Sequence, residues 1–163
     1  ALEVLRNPGR TAFLREAGVF TDRELASRYV VALERYIKQV TLEAETLVEM
    51  LSTHVIPAGE KQLAESATAL SAVESVPAAA RALEGRVKAI GTLLGELVTG
   101  CDRIHKLVGE AEGTHDETKC ARKLADEVRP AMAAARRAAD RLERLVDDEA
   151  WSLPKYREML FVK

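Results

Sequence analysis

Apolar side chains recur along most of this chain at alternating spacings of three and four residues, a pattern typical of helices that pack one face against a partner helix. Thr21, followed three residues later by Glu24, has the sequence of a capping box and predicts a helix that begins near Asp22. Pro57 removes a backbone hydrogen bond and crowds the preceding turn, so we expect a kink near this residue. The apolar stripe of this first helix contains Val30, Leu33, Ile37, Val40, Ala44, Leu47 and Leu51, with His54 at its end.

Two later stretches show the same rhythm and predict two more long helices. The second covers residues 77–108, with Ser75 as its expected cap, and the third covers residues 116–146, with Thr114 and Glu117 as a second expected capping box. The stripe of the second helix runs from Val76 through Ala80, Leu83, Val87, Ile90, Leu94, Leu97, Cys101 and Ile104 to Val108. The stripe of the third contains Ala121, Leu124, Val128, Ala131, Ala135, Ala138, Leu142 and Leu145.

Three such stripes predict an all-α fold, an elongated antiparallel three-helix bundle of long helices that forms a single helical domain over residues 1–163. The first helix, predicted over residues 22–73 with a kink near Pro57, is longer than the other two by about twenty residues. We expect the second and third helices to lie against its part after Pro57, which leaves the part with Tyr29 and Tyr36 projecting. A short N-terminal segment and a C-terminal aromatic tail packed at one end complete the predicted fold.

The aromatic residues are concentrated at the two ends of the chain. Between Ile37 and Ala150 there is none, whereas the first thirty-six residues and the last thirteen hold all seven: Phe13, Phe20, Tyr29, Tyr36, Trp151, Tyr156 and Phe161. Because aromatic side chains bury large areas and often mark interfaces, we expect all of them at one end of the bundle, facing a partner. The alternative is that the two termini pack on each other as a cap.

Composition limits the class of partner. Apolar residues make up 47% and charged residues 31%, with a net charge of −2 and a pI near 6.0, so neither nucleic acid nor an anionic membrane surface is an expected partner. No apolar run approaches the roughly 20 residues that cross a bilayer, and two cysteines suit a reducing compartment, so a cytoplasmic location is expected. The sequence opens with Ala1 and has no methionine before Met50, so Met removal, a tag scar and a fragment of a larger protein all stay open as explanations.

Few residues suggest chemistry. Cys101 and His105 lie one turn apart, and His115 and Cys120 flank the start of the third helix, so a metal site and a plain core cysteine with solvated histidines both stay open. His54 could accept a phosphoryl group, but Pro57 interrupts the helix that such a site needs. We expect His54 to be partly buried and to bond a carbonyl that Pro57 frees. We predict no catalytic, cofactor-binding or metal site.

Two segments resemble a known family. Residues 18–58 contain Arg28 and Tyr29, Glu34 with Tyr36 and Lys38, and Ile56 with Pro57, in the order found at the start of the C-terminal region of type III glutamine synthetases. The final segment, DDEAWSLPKYREMLFVK, resembles the end of the same region, with Trp151, Pro154, Tyr156, Leu160 and Phe161 in matching places.

The resemblance implies a C-terminal helical domain that is non-catalytic by itself and serves structural, docking or oligomer contacts. The parent enzyme would ligate ammonia to glutamate with ATP and magnesium, on residues of a core that has no counterpart in this chain. The implied partners are the catalytic core of the same polypeptide and neighbouring subunits. The implied interface consists of Tyr29, Tyr36, Trp151, Pro154, Tyr156 and Phe161. A free-standing helical adaptor or signalling module, which binds a protein through its aromatic end, is the alternative.

Overall fold

The predicted all-α class is confirmed by the computed structural model, which describes residues 2–73 and 75–160 and contains no strand among them. A 3-10 helix covers Leu2–Arg6, and two π-helical turns cover Leu51–Val55 and Leu124–Val128. The α-helices are α1 (Pro8–Glu16), α2 (Asp22–Met50), α3 (Ile56–Ala72), α4 (Pro77–Glu112), α5 (Glu117–Lys123), α6 (Arg129–Glu143) and α7 (Tyr156–Leu160).

Of the three helix caps predicted from the sequence, the structure confirms one and contradicts two. The capping box of α2 is confirmed, because the Thr21 side chain accepts from the Glu24 amide while the Glu24 carboxylate accepts from the Thr21 amide. Ser75 does not cap α4, whose N-cap residue is Val76 with no side-chain bond. Thr114 does not cap the third segment either. Its hydroxyl donates to the Glu110 carbonyl, and the carboxylate of Asp116 caps α5 instead.

Each π-helical turn lies directly before a proline. Pro57 and Pro130 are the second residues of α3 and α6, and the turns Leu51–Val55 and Leu124–Val128 precede these helices without a break. A proline has no N–H to donate and its ring crowds the carbonyl four residues earlier, and a wider turn accommodates both effects. The disturbance predicted at Pro57 therefore takes the form of a π-helical turn, through which the helix continues into α3.

Four contacts fix the relative directions of the helices. The Lys123 ammonium lies 2.6 Å from the Glu110 carboxylate and the Arg86 guanidinium 2.6 Å from the Leu145 carbonyl, so α5 and α6 run opposite to α4. The Tyr29 hydroxyl lies 3.3 Å from the Thr118 hydroxyl, and the Asp147 amide donates to the Gln62 side chain at 2.8 Å. The segment from α5 to α6 therefore follows the same direction as α2 and α3.

The first part of α2 does not project beyond the other helices, contrary to the sequence prediction. Tyr29 is bonded to Thr118 of α5, and the 3-10 helix packs on α2 from another side. The prediction was wrong because it placed the hairpin of the second and third helices only against the part after Pro57. In the structure α4 packs against both α2 and α3, and α5 and α6 also pack against α2.

The buried residues match the predicted apolar stripes closely in α4, α5 and α6 and less closely in α2. On α4 the stripe is buried from Ile90 onwards, and every predicted position of the third stripe except Leu145 is buried. On α2, Val30 and His54 are exposed, and the neighbouring Tyr29 and Val55 are buried in their place. A strict heptad spacing drifts relative to a straight helix of 3.6 residues per turn, which explains the one-residue shift.

Candidate docking surface

The predicted interface residues Tyr29 and Tyr36 lie in a small apolar cluster at the beginning of α2. Tyr29, Leu33 and Ala121 form its buried part, and Leu2, Leu5, Tyr36 and Ile37 pack around them. Tyr29 is only 6% exposed, and the Arg6 guanidinium lies 5.1 Å above its ring. Most of the Tyr29 surface is therefore already covered by the 3-10 helix and α5 of the same chain.

An exposed apolar surface lies beside this cluster, where α1 turns into α2. Phe13 is 64% exposed, Val31 is 62% exposed, and Val19 is also exposed. The turn folds Val19 and Phe20 back towards α1, because their amides both donate to the Leu14 carbonyl. We call Phe13, Val19 and Val31, together with Phe20 and Arg28, the N-terminal surface.

The Arg28–Phe20 pair joins the turn to α2. The Arg28 guanidinium lies 4.3 Å from the centre of the Phe20 ring, at a distance typical of a cation–π interaction. Val31 follows Arg28 by three residues, so it lies on the same side of α2. Large apolar side chains that stay exposed are a feature of surfaces that bind another protein.

Two local features of the sequence build this surface. Asn7 caps α1 by accepting from the amides of Gly9 and Arg10, and Pro8 occupies the first helical position, where its missing N–H costs little. Gly18 ends α1 with a φ of 67°, a left-handed conformation that suits glycine and turns the chain towards α2. The residues before Asp22 were predicted only as a short N-terminal segment, and α1 was missed, although Asn7, Pro8 and Gly18 together signal it.

Trp151 does not lie beside Tyr29 and Tyr36, which corrects the prediction of a single aromatic end. The His54 Nδ1 atom is 2.9 Å from the hydroxyl of Ser152, the residue after Trp151. His54 and Tyr29 are separated by 25 residues of continuous helix, or about 37 Å at 1.5 Å per residue. The hairpin turn between α4 and α5 lies at the Tyr29 end, so the returning segment carries the chain away from it.

Trp151 packs into the main core and is only 9% exposed, with its indole Nε1 buried and without a hydrogen-bond partner among the described residues. The following segment is held by Lys155, whose buried ammonium donates to the Val146 carbonyl at 3.2 Å and to the Asp148 carboxylate. Pro154 is exposed and Tyr156 begins α7. Phe161 lies outside the described residues.

The cysteine and histidine residues do not meet as a metal site. No group of three or more histidine, cysteine, aspartate or glutamate side chains in residues 2–73 and 75–160 is placed to hold a metal ion. Cys101 and Cys120 are buried free thiols, and burial raises the pKa of each. His105 and His115 lie outside the core, on α4 and in the turn after it. The prediction for His54 was also wrong. Its side chain is exposed, and it bonds the Ser152 hydroxyl instead of a backbone carbonyl.

Comparison with known proteins finds similarity to the C-terminal part of glutamine synthetases. A family model described as "Glutamine synthetase C-terminal domain" matches residues 1–74. A type-3 glutamine synthetase of Dictyostelium discoideum is 26% identical over 100% of this chain and 23% of its own length. A glutamine synthetase of Bacteroides fragilis is 30% identical over 96% of this chain and 22% of its own length. The chain is similar to the C-terminal part of type III glutamine synthetases.

The chain spans about a fifth of the length of the curated relatives it matches, and it aligns with their C-terminal part. A glutamine synthetase of Butyrivibrio fibrisolvens shows the same relation, at 29% identity over 88% of this chain and 21% of its own length. The alternative of a free-standing adaptor gains no support from these relatives.

The residues that carry the resemblance have structural roles in this chain. Arg28 covers the Phe20 ring, Tyr29 fills the small apolar cluster, and Pro57 follows the first π-helical turn. Lys38 lies 4.0 Å from the Glu34 carboxylate on the exposed side of α2. These roles concern the folding of the domain and the shape of its N-terminal surface, and none is a catalytic arrangement.

Proposed function

We propose that this chain is the non-catalytic C-terminal helical domain of a type III glutamine synthetase and that it docks on the rest of the same polypeptide through its N-terminal surface. The observation that carries the proposal is the exposure of Phe13, Val19 and Val31, which lie in the first 31 residues of a chain that aligns with the C-terminal part of longer relatives. Exposed apolar side chains of this size gain free energy when a partner covers them. We further propose that the domain is an elongated antiparallel three-helix bundle whose other surfaces contact neighbouring subunits.

The six predicted interface residues would take different parts in such docking. Tyr29 and Trp151 are buried within the chain, so we propose that they support neighbouring contact surfaces from beneath. Tyr36 is half-buried and Pro154 is exposed, so both are available for direct contact. Contacts by Tyr156 and Phe161 remain predictions from the resemblance.

In the parent enzyme we propose that ATP, magnesium and the ligation of ammonia to glutamate belong to the part of the polypeptide outside this chain. The described residues fit no magnesium site, because they bring no cluster of three carboxylate, histidine or cysteine side chains together. We therefore assign no step of that chemistry to this domain. The described part of the chain also has no helix long and apolar enough to span a bilayer, and a cytoplasmic location remains our expectation.

Two matched substitutions test the docking proposal. Val31→Asp places a charge in the N-terminal surface, whereas Val98→Asp places the same charge on α4, where Val98 is 47% exposed. In the full-length protein we expect Val31→Asp to weaken assembly and raise proteolytic release of the helical domain, and Val98→Asp to do neither. Both variants of the 163-residue chain should keep the melting temperature of the wild type, because both side chains face solvent.

Sedimentation and limited proteolysis of the full-length variants provide the measurement. If Val31→Asp assembles and resists proteolysis as the wild type does, the N-terminal surface is not the docking site. A large loss of melting temperature in the isolated Val31→Asp chain would contradict the premise that Val31 is free for a partner.

A further inference from the structure

A groove separate from the N-terminal surface opens between the 3-10 helix, α2 and α5. Its cavity volume is about 370 Å³, within the usual range of about 300–1,000 Å³ for small-molecule sites. We call it the tyrosine groove, and its main lining residues are Leu2, Tyr29, Leu33, Tyr36, Ala121 and Arg129.

The walls of the tyrosine groove are mostly apolar and well supported. Tyr29, Leu33 and Ala121 are buried members of one cluster, so the floor of the groove is held by packing on two helices. The Tyr29 hydroxyl is already bonded to Thr118. On one side, an ion pair between Glu3 and Arg122 ties the 3-10 helix to α5. The groove is therefore preformed, with a floor suited to an aromatic or aliphatic body.

Two polar groups of the groove remain available. The Arg129 guanidinium has no ion pair or hydrogen bond within the described part of the chain, and neither has the hydroxyl of the half-buried Tyr36. Glu3 is the one acidic residue in the lining, and its charge is balanced by Arg122. The groove as a whole thus carries an excess positive charge from Arg129.

We propose that the tyrosine groove binds a small amphipathic carboxylate, with its apolar body between Tyr29 and Leu33 and its carboxylate beside Arg129 and the Tyr36 hydroxyl. A guanidinium forms short, charge-assisted hydrogen bonds with a carboxylate, and a tyrosine hydroxyl adds a further donor. The apolar floor selects against small hydrophilic anions, because these would leave it uncovered. This inference goes beyond the docking role and does not depend on it.

Calorimetric titration of the 163-residue chain with 4-phenylbutyrate tests the proposal, with the neutral 4-phenylbutyramide as the matched ligand. We expect the carboxylate to bind with a dissociation constant below about 1 mM and the amide to bind about tenfold more weakly. Arg129→Gln should reduce carboxylate affinity by about tenfold and leave amide binding unchanged. Arg137→Gln, on an exposed position of α6 outside the groove, is the control and should change neither.

A second variant tests the position of the apolar body. Ala125 lines the groove and is half-buried, so Ala125→Leu should fill part of the cavity and reduce binding of both ligands, while far-UV circular dichroism stays unchanged. Absence of carboxylate binding to the wild type at millimolar concentration would overturn the proposal. Binding that survives both Arg129→Gln and Ala125→Leu would overturn it as well, because the ligand would then lie elsewhere.

Discussion

The side chain of Gln62 accepts a hydrogen bond from the backbone amide of Asp147 at 2.8 Å, which ties α3 to the chain just after α6. Gln62 is buried, and its Nε2 atom lies 3.4 Å from the Ser66 hydroxyl, so both ends of its amide group have partners. A buried glutamine at this point secures the return of the chain after the third helical segment, a connection that no apolar side chain could provide.

Replacing Gln62 by leucine should destabilise the domain, because the Asp147 amide would lose its partner. We expect a loss of about 1–3 kcal/mol in the free energy of unfolding, measured by urea denaturation. Gln39→Leu is the control, since the Gln39 amide bonds Glu43 on the exposed side of α2 and its loss should cost little. Equal stability of the Gln62→Leu and Gln39→Leu variants would show that the bond to Asp147 is dispensable.

Alanine substitutions at Gly59 and Gly91 should have opposite effects. A Cβ atom at Gly59 would lie 2.7 Å from Leu94 Cδ2 and 2.8 Å from Leu142 Cδ2, so two core leucines would have to move. A Cβ atom at Gly91 would have no neighbour within 4 Å. We expect Gly59→Ala to lose about 1 kcal/mol or more despite its better helix propensity, and Gly91→Ala to gain about 0.5–1 kcal/mol.

Thermal denaturation followed by circular dichroism compares these two glycine variants. A stabilised Gly59→Ala variant would mean that Leu94 and Leu142 shift without strain, and that the close approach of α3 at Gly59 does not require glycine.

Trp151 should contribute strongly to the stability of the isolated chain, because it packs in the main core. We expect Trp151→Ala to cost about 3–5 kcal/mol, whereas Met159→Ala, at an exposed position of α7, should change stability by less than about 0.5 kcal/mol. Circular dichroism is the suitable probe, since Trp151 is the one tryptophan of the sequence. A loss below about 1 kcal/mol would instead favour a tryptophan whose contacts lie mainly with an absent partner.

Acid should weaken the start of α2 through Glu24. Hydrogen bonds from the Thr21 amide and hydroxyl lower the pKa of the Glu24 carboxyl below its ordinary value of 4.5. Because the pKa of Glu24 is lower in the folded state, its carboxylate contributes its full stability at pH values above its unfolded-state pKa. This contribution is lost as the pH falls through the folded-state pKa. We expect Glu24→Gln to reduce the fall in melting temperature between pH 5 and pH 3, since its amide cannot be protonated there.

Thr21→Ala is the complementary variant at this cap. It removes the hydroxyl that the Glu24 carboxylate accepts from, and should therefore lower the melting temperature at neutral pH more than Glu24→Gln does. Identical pH profiles for the wild type and Glu24→Gln would show that acid destabilisation comes from other carboxylates, such as Glu3 and Glu110, whose pKa values are also lowered by basic partners.

Much of the helical fold was predictable from local patterns. The Thr21 capping box, the stripe of α4 from Ile90 onwards and the alanine-rich stripe of α6 each depend on residues close in sequence, and each is confirmed. The error at Thr114 arose because several neighbouring polar residues can cap a helix, and only the backbone geometry selects one of them. Asp116 was such a competitor, and its side chain reaches two amides of α5. The error at Ser75 has another cause, because the N-cap position of α4 falls on Val76 and no side chain caps this helix.

The candidate surfaces were less predictable, because each combines residues far apart in the chain. The tyrosine groove needs Leu2, Tyr36 and Arg129 together, and Trp151 finds its place only when the segment after α6 folds back on α3. From the sequence pattern alone, Tyr29 and Trp151 were both predicted to lie at the same interface, since both are large aromatic residues near an end of the chain.

The sequence by itself determined an all-helical chain, the start of α2 and the apolar faces of α4 and α6, because caps, prolines and helical periodicity act over a few residues. The tertiary structure decided how far the hairpin of α4 with α5 and α6 extends along α2, and therefore where Tyr29 and Trp151 lie. The physical reason is that long apolar stripes can pack in several registers. Specific contacts such as Tyr29 with Thr118, and Gln62 with Asp147, select one of them.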